Sequence, residues 1–214
     1  MKPTRIVVLI SGSGSNLQAI IDAVQAGDVN GQICAVISNR PNVLGLERAK
    51  KASIDTLVLD HKEFDSRDAY DAALMDKIDS FAPDLVVLAG FMRILTPSLV
   101  QKYLGKMLNI HPSLLPKYQG LNTHQRAIDA KDEVHGVSVH FVTEELDGGP
   151  VIVQAKVPVL SNDTAQTLAL RVHEQEHIIY PLVVKWFSEQ RLTMEAHYAV
   201  LDDQKLPPEG AHYN

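Results

Sequence analysis

The sequence has a single cysteine, no long apolar run and no concentration of basic residues. Cys34 stands alone, so an intrachain disulfide and a cysteine-based zinc site are both excluded. No stretch is long enough for a secretory signal or a membrane span, which predicts a cytoplasmic protein with no membrane partner. The formal net charge is −6 and the lysines and arginines form no stripe, which argues against nucleic acid as the principal partner.

The composition is that of a globular domain with a proper core. Hydrophobic residues make up 45% of the 214 residues and charged residues 21%, without long runs of one sign. No repeat or low-complexity linker interrupts the chain. We therefore expect a single domain over residues 1–214, with lobes of about 1–105 and 106–214.

A glycine-rich loop follows the first predicted strand. Residues 6–10 form a β-branched and aliphatic run, typical of a strand buried on both faces. Residues 11–16 supply two glycines before a helical pattern begins, so backbone N–H groups and a helix N-terminus could hold an anion there. The alternative is a tight turn that needs glycine only for its geometry.

The loop departs from both common nucleotide-binding motifs. Leu17 occupies the third glycine position of the dinucleotide fingerprint, and no Gly-Lys-Ser/Thr follows as the Walker A motif requires. The second predicted strand, residues 33–38, ends in Asn39 and Arg40, without an acidic residue to hold a nicotinamide ribose. A phosphomonoester therefore fits the loop better than NAD.

Strand and helix patterns continue to alternate along the first half. Helices are predicted at residues 45–52 and 99–104, and a longer one after Ser66, a suitable N-cap. Strands are predicted at residues 56–59 and 85–89. The pattern indicates an α/β fold with an open, mostly parallel, twisted sheet, a Rossmann-like N-terminal half and a mixed-sheet C-terminal half.

Two features of the first half have both a structural and a functional interpretation. Arg67 lies in a predicted first helical turn, where a cation is poorly placed for the helix dipole, and is either solvated or used elsewhere. Residues 91–95, Phe-Met-Arg-Ile-Leu, follow a buried strand and either pack or line a pocket for a flat aromatic ligand. The residues alone leave both alternatives open.

An amide and an imidazole share one face of a predicted strand in the middle of the chain. Residues 107–111 are a short, largely apolar strand that Pro112 ends. Asn109 and His111 lie on the same face because side chains alternate along a strand. Ligands bind at the carboxyl ends of such strands, so His111 is a candidate catalyst, and a surface or satisfied core histidine is the alternative.

The second half contains two acidic candidates. Asp147 adjoins a double-glycine turn and either stabilises that turn or reaches His111, where its charge would favour the imidazolium form that proton transfer requires. Glu176 lies on the apolar face of a predicted helix, and an acid there is usually paired or used. Glu176 therefore either contacts a ligand or partner, or is paired within the protein.

The other elements of the second half are simpler. A helix is predicted at residues 123–130, and residues 134–142 alternate as in a half-buried strand with His140 on the polar face. A long helical pattern runs toward Trp186 and is interrupted by Pro181. Residues 192–198 are predicted to form a strand.

Three motifs with high joint specificity occur in order along the chain. They are Gly12-Ser13-Gly14-Ser15-Asn16, Asn109-Ile110-His111-Pro112-Ser113-Leu114-Leu115-Pro116 and Leu146-Asp147-Gly148-Gly149-Pro150. With the AGFMRIL stretch at residues 89–95, they closely resemble the phosphoribosylglycinamide formyltransferases, folate-dependent enzymes of purine biosynthesis, nearly end to end. The resemblance implies the formyltransferase fold, transfer of the formyl group of 10-formyltetrahydrofolate to the amine of glycinamide ribonucleotide, no metal, and a monomer or homodimer.

The resemblance also implies roles for individual residues. Asn109, His111 and Asp147 would be catalytic. The substrate phosphate would be held by Gly14, Ser15 and Asn16, and its glycinamide end by Glu176. The folate would be held by Arg67, Met92, Arg93, Ile94, Leu95, Asn109 and the loop ending at Asp147. Asn122 departs from the family pattern, since many relatives have a histidine there, and His124 lies two positions further on.

Two alternatives share parts of this pattern. Formyltetrahydrofolate hydrolase and the formyltransferase acting on methionyl-tRNA use the same formyl carrier, but each has an extra domain that we expect not to fit within this chain. A non-catalytic nucleotide-binding module is a different class of protein. It would need no histidine paired with an acid, so a pH–rate profile for formyl transfer would distinguish it.

Overall fold

The computed structural model describes residues 2–213, and the chain divides into two compact units, Met1–Asn109 and Ile110–Asn214. Strands and helices alternate along the first unit. Its strands are β1 (Thr4–Ile10), β2 (Gly31–Ser38), β3 (Thr56–Val58), β4 (Leu85–Leu88) and the beginning of β5 (Met107–His111). Its helices are α1 (Ser15–Gln25), α2 (Leu44–Lys51), α3 (Arg67–Ser80) and α4 (Pro97–Lys102), with a short 3₁₀ turn at His61–Glu63.

The strands of the first unit form a parallel sheet in the order β5-β4-β1-β2-β3. Helices supply the long crossovers that parallel pairing demands. The carboxyl ends of the strands share one edge, from which the loops at Ser11, Asn39 and Gly90 emerge. The predicted Rossmann-like half is confirmed.

The core of the first unit explains why its strands read as unbroken apolar runs. Ile6 to Ile10 of β1 are fully buried, since β1 lies in the middle of the sheet. Helix α3 begins where Ser66 Oγ accepts a hydrogen bond from the Ala69 backbone at 3.0 Å, as the predicted N-cap requires.

The second unit is mixed in strand direction. Its elements are α5 (Thr123–Asp129), β6 (Val134–Phe141), β7 (Val151–Pro158), α6 (Ala165–Ser188), β8 (Leu192–Glu195), β9 (Tyr198–Leu201), β10 (Gln204–Lys205) and β11 (Ala211–Tyr213). Strands β6 and β7 form an antiparallel hairpin, and β11 adds in parallel to β7. Strands β8 to β10 form a small antiparallel sheet, and α6 packs on β6 and β7.

The α/β class with mostly parallel strands and a mixed C-terminal half is confirmed. That both units form one functional domain stays a prediction. Within residues 2–213, no helix combines the length and apolar character that crossing a bilayer requires.

Three predicted elements of the second unit are wrong. Residues 135–141 of β6 are buried on both faces rather than one; α6 packs on this strand, and β7 pairs with it along one edge. Helix α6 continues through Pro181, because its apolar face remains buried beyond that residue at Val183 and Val184. The tail forms the β8–β9 hairpin instead of one strand.

Candidate active site

The predicted phosphate loop connects β1 to α1 in the first unit. Gly14 has φ +70°, and a Cβ on it would lie 2.6 Å from Gly45 Cα, so only glycine fits there. Helix α1 begins at Ser15 with Asn16 in its first turn, and no acidic residue occupies that turn. Arg48 of α2 donates from Nε to the Ser13 carbonyl at 2.8 Å. The loop therefore presents a helix N-terminus with a guanidinium nearby, which favours an anion.

The apolar segment after β4 lies at the same edge of the parallel sheet. Met92 and Ile94 are 58% and 56% exposed, which is unusual for large apolar side chains. The Met92 backbone N–H donates to Ser11 Oγ at 2.8 Å. The Arg93 guanidinium lies 4.5 Å from the centre of the Tyr70 ring, so its charged group already contacts the protein. Arg67, one helical turn before Tyr70 on α3, is exposed.

His111 ends β5 and is buried with Asp147 in the second unit. Its Nδ1 lies 3.4 Å from Asp147 Oδ2, and the two side chains are 8% and 9% exposed. Its Nε2 donates to the Tyr118 carbonyl at 2.8 Å, because a carbonyl oxygen can only accept. The sequence hypothesis that Asp147 reaches His111 therefore holds geometrically. Asn109 precedes His111 by two residues in β5, as the alternation requires.

The turn between β6 and β7 holds the Asp147 carboxylate in place. Asp147 has φ +51°, a conformation that aspartate tolerates better than most residues. Gly149 lies so close to the Phe141 carbonyl that a Cβ would be 1.8 Å from its oxygen. Asp147 Oδ2 also accepts a hydrogen bond from the Gly120 backbone at 2.9 Å. The carboxylate thus joins the His111 ring to the loop that follows β5.

His140 is a neighbour of this pair that sequence reasoning missed. Its Nε2 lies 3.8 Å from Asp147 Oδ1, and its Nδ1 donates to the Phe141 carbonyl at 2.8 Å. Burial lowers the pKa of His140, and this outweighs the opposite effects of the Phe141 carbonyl and the Asp147 charge. His140 is therefore neutral near pH 7. The predicted strand over residues 134–142 and the double-glycine turn after it were the available signal, since His140 lies at the end of that strand and Asp147 in the turn that follows.

His124, which lies near the departure at Asn122, pairs with His135. His124 Nδ1 and His135 Nε2 are 3.2 Å apart, so one ring donates and the other must accept. Burial lowers the pKa of His135 to about 4, and burial followed by nearby histidines lowers that of His124. Asn122 adopts φ +57° at the N-cap of α5, a conformation that asparagine readily accepts.

We expect the free energy of unfolding to fall as the pH drops from about 6.5 toward about 4. The unfolded chain takes up a proton at His135 near pH 6.5, whereas the folded chain resists it until about pH 4, so acid favours unfolding. The loss should be on the order of 1–3 kcal/mol in urea titrations. His135→Gln should make the pH dependence shallower, whereas His197→Gln, at an exposed position, should leave it unchanged. Equal slopes for all three proteins would contradict this.

Glu176 lies on the apolar face of α6, as predicted. It is 5% exposed, and Val172, Ile179 and Val183 on the same face are fully buried. Among residues 2–213, no group of three or more histidine, cysteine, aspartate or glutamate side chains is arranged to hold a metal ion.

The geometry brings together several of the predicted residues. Gly14, Ser15 and Asn16 form one loop, Met92 to Leu95 one exposed segment, and His111 and Asp147 one buried pair. Backbone groups that sequence patterns do not show complete the histidine site, namely the Tyr118 carbonyl and the Gly120 N–H. The pairing of His111 with Asp147 is typical of proton-transfer chemistry.

Comparisons with known proteins agree with this chemistry. The formyl transferase family model matches residues 4–184. Phosphoribosylglycinamide formyltransferase of Escherichia coli is 60% identical over 205 residues, 96% of this chain and 97% of the relative. That of Haemophilus influenzae is 53% identical, with 96% and 97% covered. The solved structure of the Coxiella burnetii phosphoribosylglycinamide formyltransferase has a TM-score of 0.95 and 51% identity, covering 99% of this chain and 100% of that one. The chain therefore belongs to the formyl transferase family.

Proposed function

We propose that this protein transfers the formyl group of 10-formyltetrahydrofolate to the amine of N1-(5-phospho-D-ribosyl)glycinamide in de novo purine biosynthesis. The products are the N-formyl compound and tetrahydrofolate. The observation that carries the proposal is the buried His111–Asp147 pair at 3.4 Å, two residues beyond Asn109. The relatives named for this reaction match almost the whole chain. Sequence-based localisation in the cytoplasm and a monomeric or homodimeric state remain predictions.

In the proposed mechanism, His111 and Asn109 stabilise negative charge on the formyl oxygen. The substrate amine attacks the formyl carbon, and the carbonyl electrons move to the oxygen. A charged imidazole and a side-chain amide are the kinds of donor that stabilise such an oxyanion. His111 Nε2 now donates to the Tyr118 carbonyl, so the formyl oxygen would take that acceptor's place.

Asp147 stabilises the positive charge on His111 and supports proton movement. As the bond between the formyl carbon and the folate nitrogen breaks, one proton leaves the attacking amine and one reaches the leaving nitrogen. His140 is neutral with its Nδ1 donating to the Phe141 carbonyl, so it adds no positive charge beside Asp147. His140 thereby leaves the positive charge to the ring of His111.

The remaining predicted residues would hold the two substrates. Gly14, Ser15 and Asn16 would bind the phosphate of the ribonucleotide at the N-terminus of α1. Glu176 would contact the glycinamide end. The exposed Met92 and Ile94, together with Arg67, Arg93, Leu95 and Asn109, would hold the folate, for which an apolar surface suits a flat ring.

A direct assay tests the function. The purified protein is incubated with glycinamide ribonucleotide and 10-formyltetrahydrofolate, and the formylated product and tetrahydrofolate are quantified together. We expect equal amounts of both. Release of formate without the ribonucleotide would support a hydrolase instead. Formylation of methionyl-tRNA would support the tRNA formyltransferase. No turnover of any of these substrates would support a non-catalytic module.

Gly14→Ala is expected to raise the KM for glycinamide ribonucleotide by about tenfold or more, since the added Cβ meets Gly45 and strains a left-handed backbone. The KM for the folate should change little. Gly12→Ala is the matched control, because a Cβ there meets nothing within 4 Å. An acceptor lacking the phosphate should bind weakly to the wild-type enzyme. Equal affinity for that acceptor would rule out the loop as the phosphate site.

A further inference from the structure

We propose that Asp71 and Tyr70 are positioning residues for the folate, because they fix the backbone of residues 91–96. The inference rests on the proposed function, which assigns this segment to the folate. Neither residue faces the reacting atoms in the mechanism above. Both lie in the first two turns of α3, the helix that begins at Arg67.

Asp71 holds the end of the segment. Its carboxylate is fully buried, and Oδ2 accepts a hydrogen bond from the Thr96 backbone N–H at 2.6 Å. Thr96 is itself 4% exposed. A carboxylate removed from water is costly unless it makes strong hydrogen bonds, and one to a backbone N–H is of this kind. Asp71 therefore fixes the point at which the segment enters α4.

Tyr70 holds the middle of the segment. Its ring is fully buried and lies 4.5 Å below the Arg93 guanidinium, while Phe64 contacts the ring edge-on at 5.3 Å between ring centres. A cation over an aromatic face is attracted by the ring quadrupole. Arg93 therefore acts through the shape of the segment, and its guanidinium is held by the protein.

A third contact holds the beginning of the segment. The Met92 N–H donates to Ser11 Oγ at 2.8 Å, and Ser11 in turn donates to Asn39 Oδ1 at 2.5 Å. The segment is thus held through the backbone at residues 92 and 96 and through the side chain of Arg93. Between these points Met92 and Ile94 present their apolar side chains outward, where a flat ligand could contact them.

The contacts of Tyr70, Asp71 and Arg93 are not explained by stability alone. Tyr70 Oη, Asp71 Oδ1 and Arg93 Nε are buried without a hydrogen-bond partner within residues 2–213. Unsatisfied buried polar atoms destabilise a fold, so three of them around one segment indicate that its conformation serves binding. The pairing of an exposed apolar surface with a buried polar support is what a preorganised ligand contact requires.

Steady-state kinetics with both substrates tests the proposal. Asp71→Ala removes the acceptor of the Thr96 N–H and should raise the KM for 10-formyltetrahydrofolate by about tenfold or more. The KM for glycinamide ribonucleotide should stay within about twofold. Asp71→Asn retains an acceptor oxygen and should restore most of the folate affinity. Tyr70→Leu should resemble Asp71→Ala, whereas Tyr70→Phe, which keeps the ring face, should resemble the wild type.

The matched control is Ile78→Ala, a destabilising change at a fully buried position of the same helix. It should lower the melting temperature without a selective change in folate KM. An equal rise in both KM values, failure of Asp71→Asn to restore affinity, or the same folate defect in Ile78→Ala would overturn the proposal.

Calorimetry with tetrahydrofolate separates this proposal from the proposed function. Asp71→Ala should bind tetrahydrofolate about tenfold more weakly than the wild type, whichever amine is the acceptor. A wild-type protein that binds tetrahydrofolate but does not formylate glycinamide ribonucleotide would refute the proposed function alone. Equal binding by the two proteins would refute the positioning role alone.

Discussion

His111→Ala is expected to lower kcat by about 10³-fold, with the KM of either substrate within about threefold of the wild-type value. In the proposed mechanism the imidazole donates to an oxygen whose negative charge exists only in the transition state, so its loss should affect the chemical step far more than binding. Single-turnover measurements with saturating substrates would isolate that step. A variant with near-normal turnover would remove His111 from the mechanism.

His197→Ala provides the control for this experiment, because it removes an exposed imidazole in the turn between β8 and β9. Its kcat should equal that of the wild type. Circular dichroism of His111→Ala should show that the second unit remains folded, since the change truncates one side chain at the end of β5.

Asp147→Asn is expected to lower kcat by about 10²-fold or more, since proton transfer by a positioned group contributes about this much. Asparagine has nearly the same shape, accepts the same left-handed backbone conformation and retains an oxygen for the Gly120 N–H. The change therefore removes the negative charge beside His111 and little else.

Glu145→Gln is the matched control, because it removes one negative charge from an exposed position in the same turn. Its kcat should match that of the wild type. If Glu145→Gln lowered kcat as much as Asp147→Asn, the effect would come from the net charge of the turn and not from the contact with His111.

The parallel half of the fold was predictable because its sequence signals are local. The unbroken apolar run from Ile6 to Ile10 is typical of a strand that is covered on both faces. Ser66 marks the start of α3, because its side chain accepts a hydrogen bond from the first turn of the helix. The spacing of Asn109 and His111 likewise follows from the two-residue repeat of a strand.

The surroundings of His111 were less predictable, because they depend on tertiary packing. His140 has the alternation of an exposed strand face, yet β6 is buried on both faces, and the ring is 2% exposed beside Asp147. The Tyr118 carbonyl and the Gly120 N–H belong to the backbone, which carries no residue-type signal. Pro181 does not end α6, because the packing of the helix outweighs the loss of the one backbone hydrogen bond that a proline removes.

The hydrogen bond from His111 Nε2 to the Tyr118 carbonyl affects the free energy with which a formyl oxygen would bind in the proposed mechanism. A donor exposed to bulk water would have to lose its bound water before it could donate to the formyl oxygen. If His111 acts as proposed, one carbonyl acceptor is exchanged for another of similar strength, so the exchange should be nearly neutral in enthalpy and need little dipole reorientation. Between turnovers the Tyr118 carbonyl would keep the His111 Nε2–H paired and oriented.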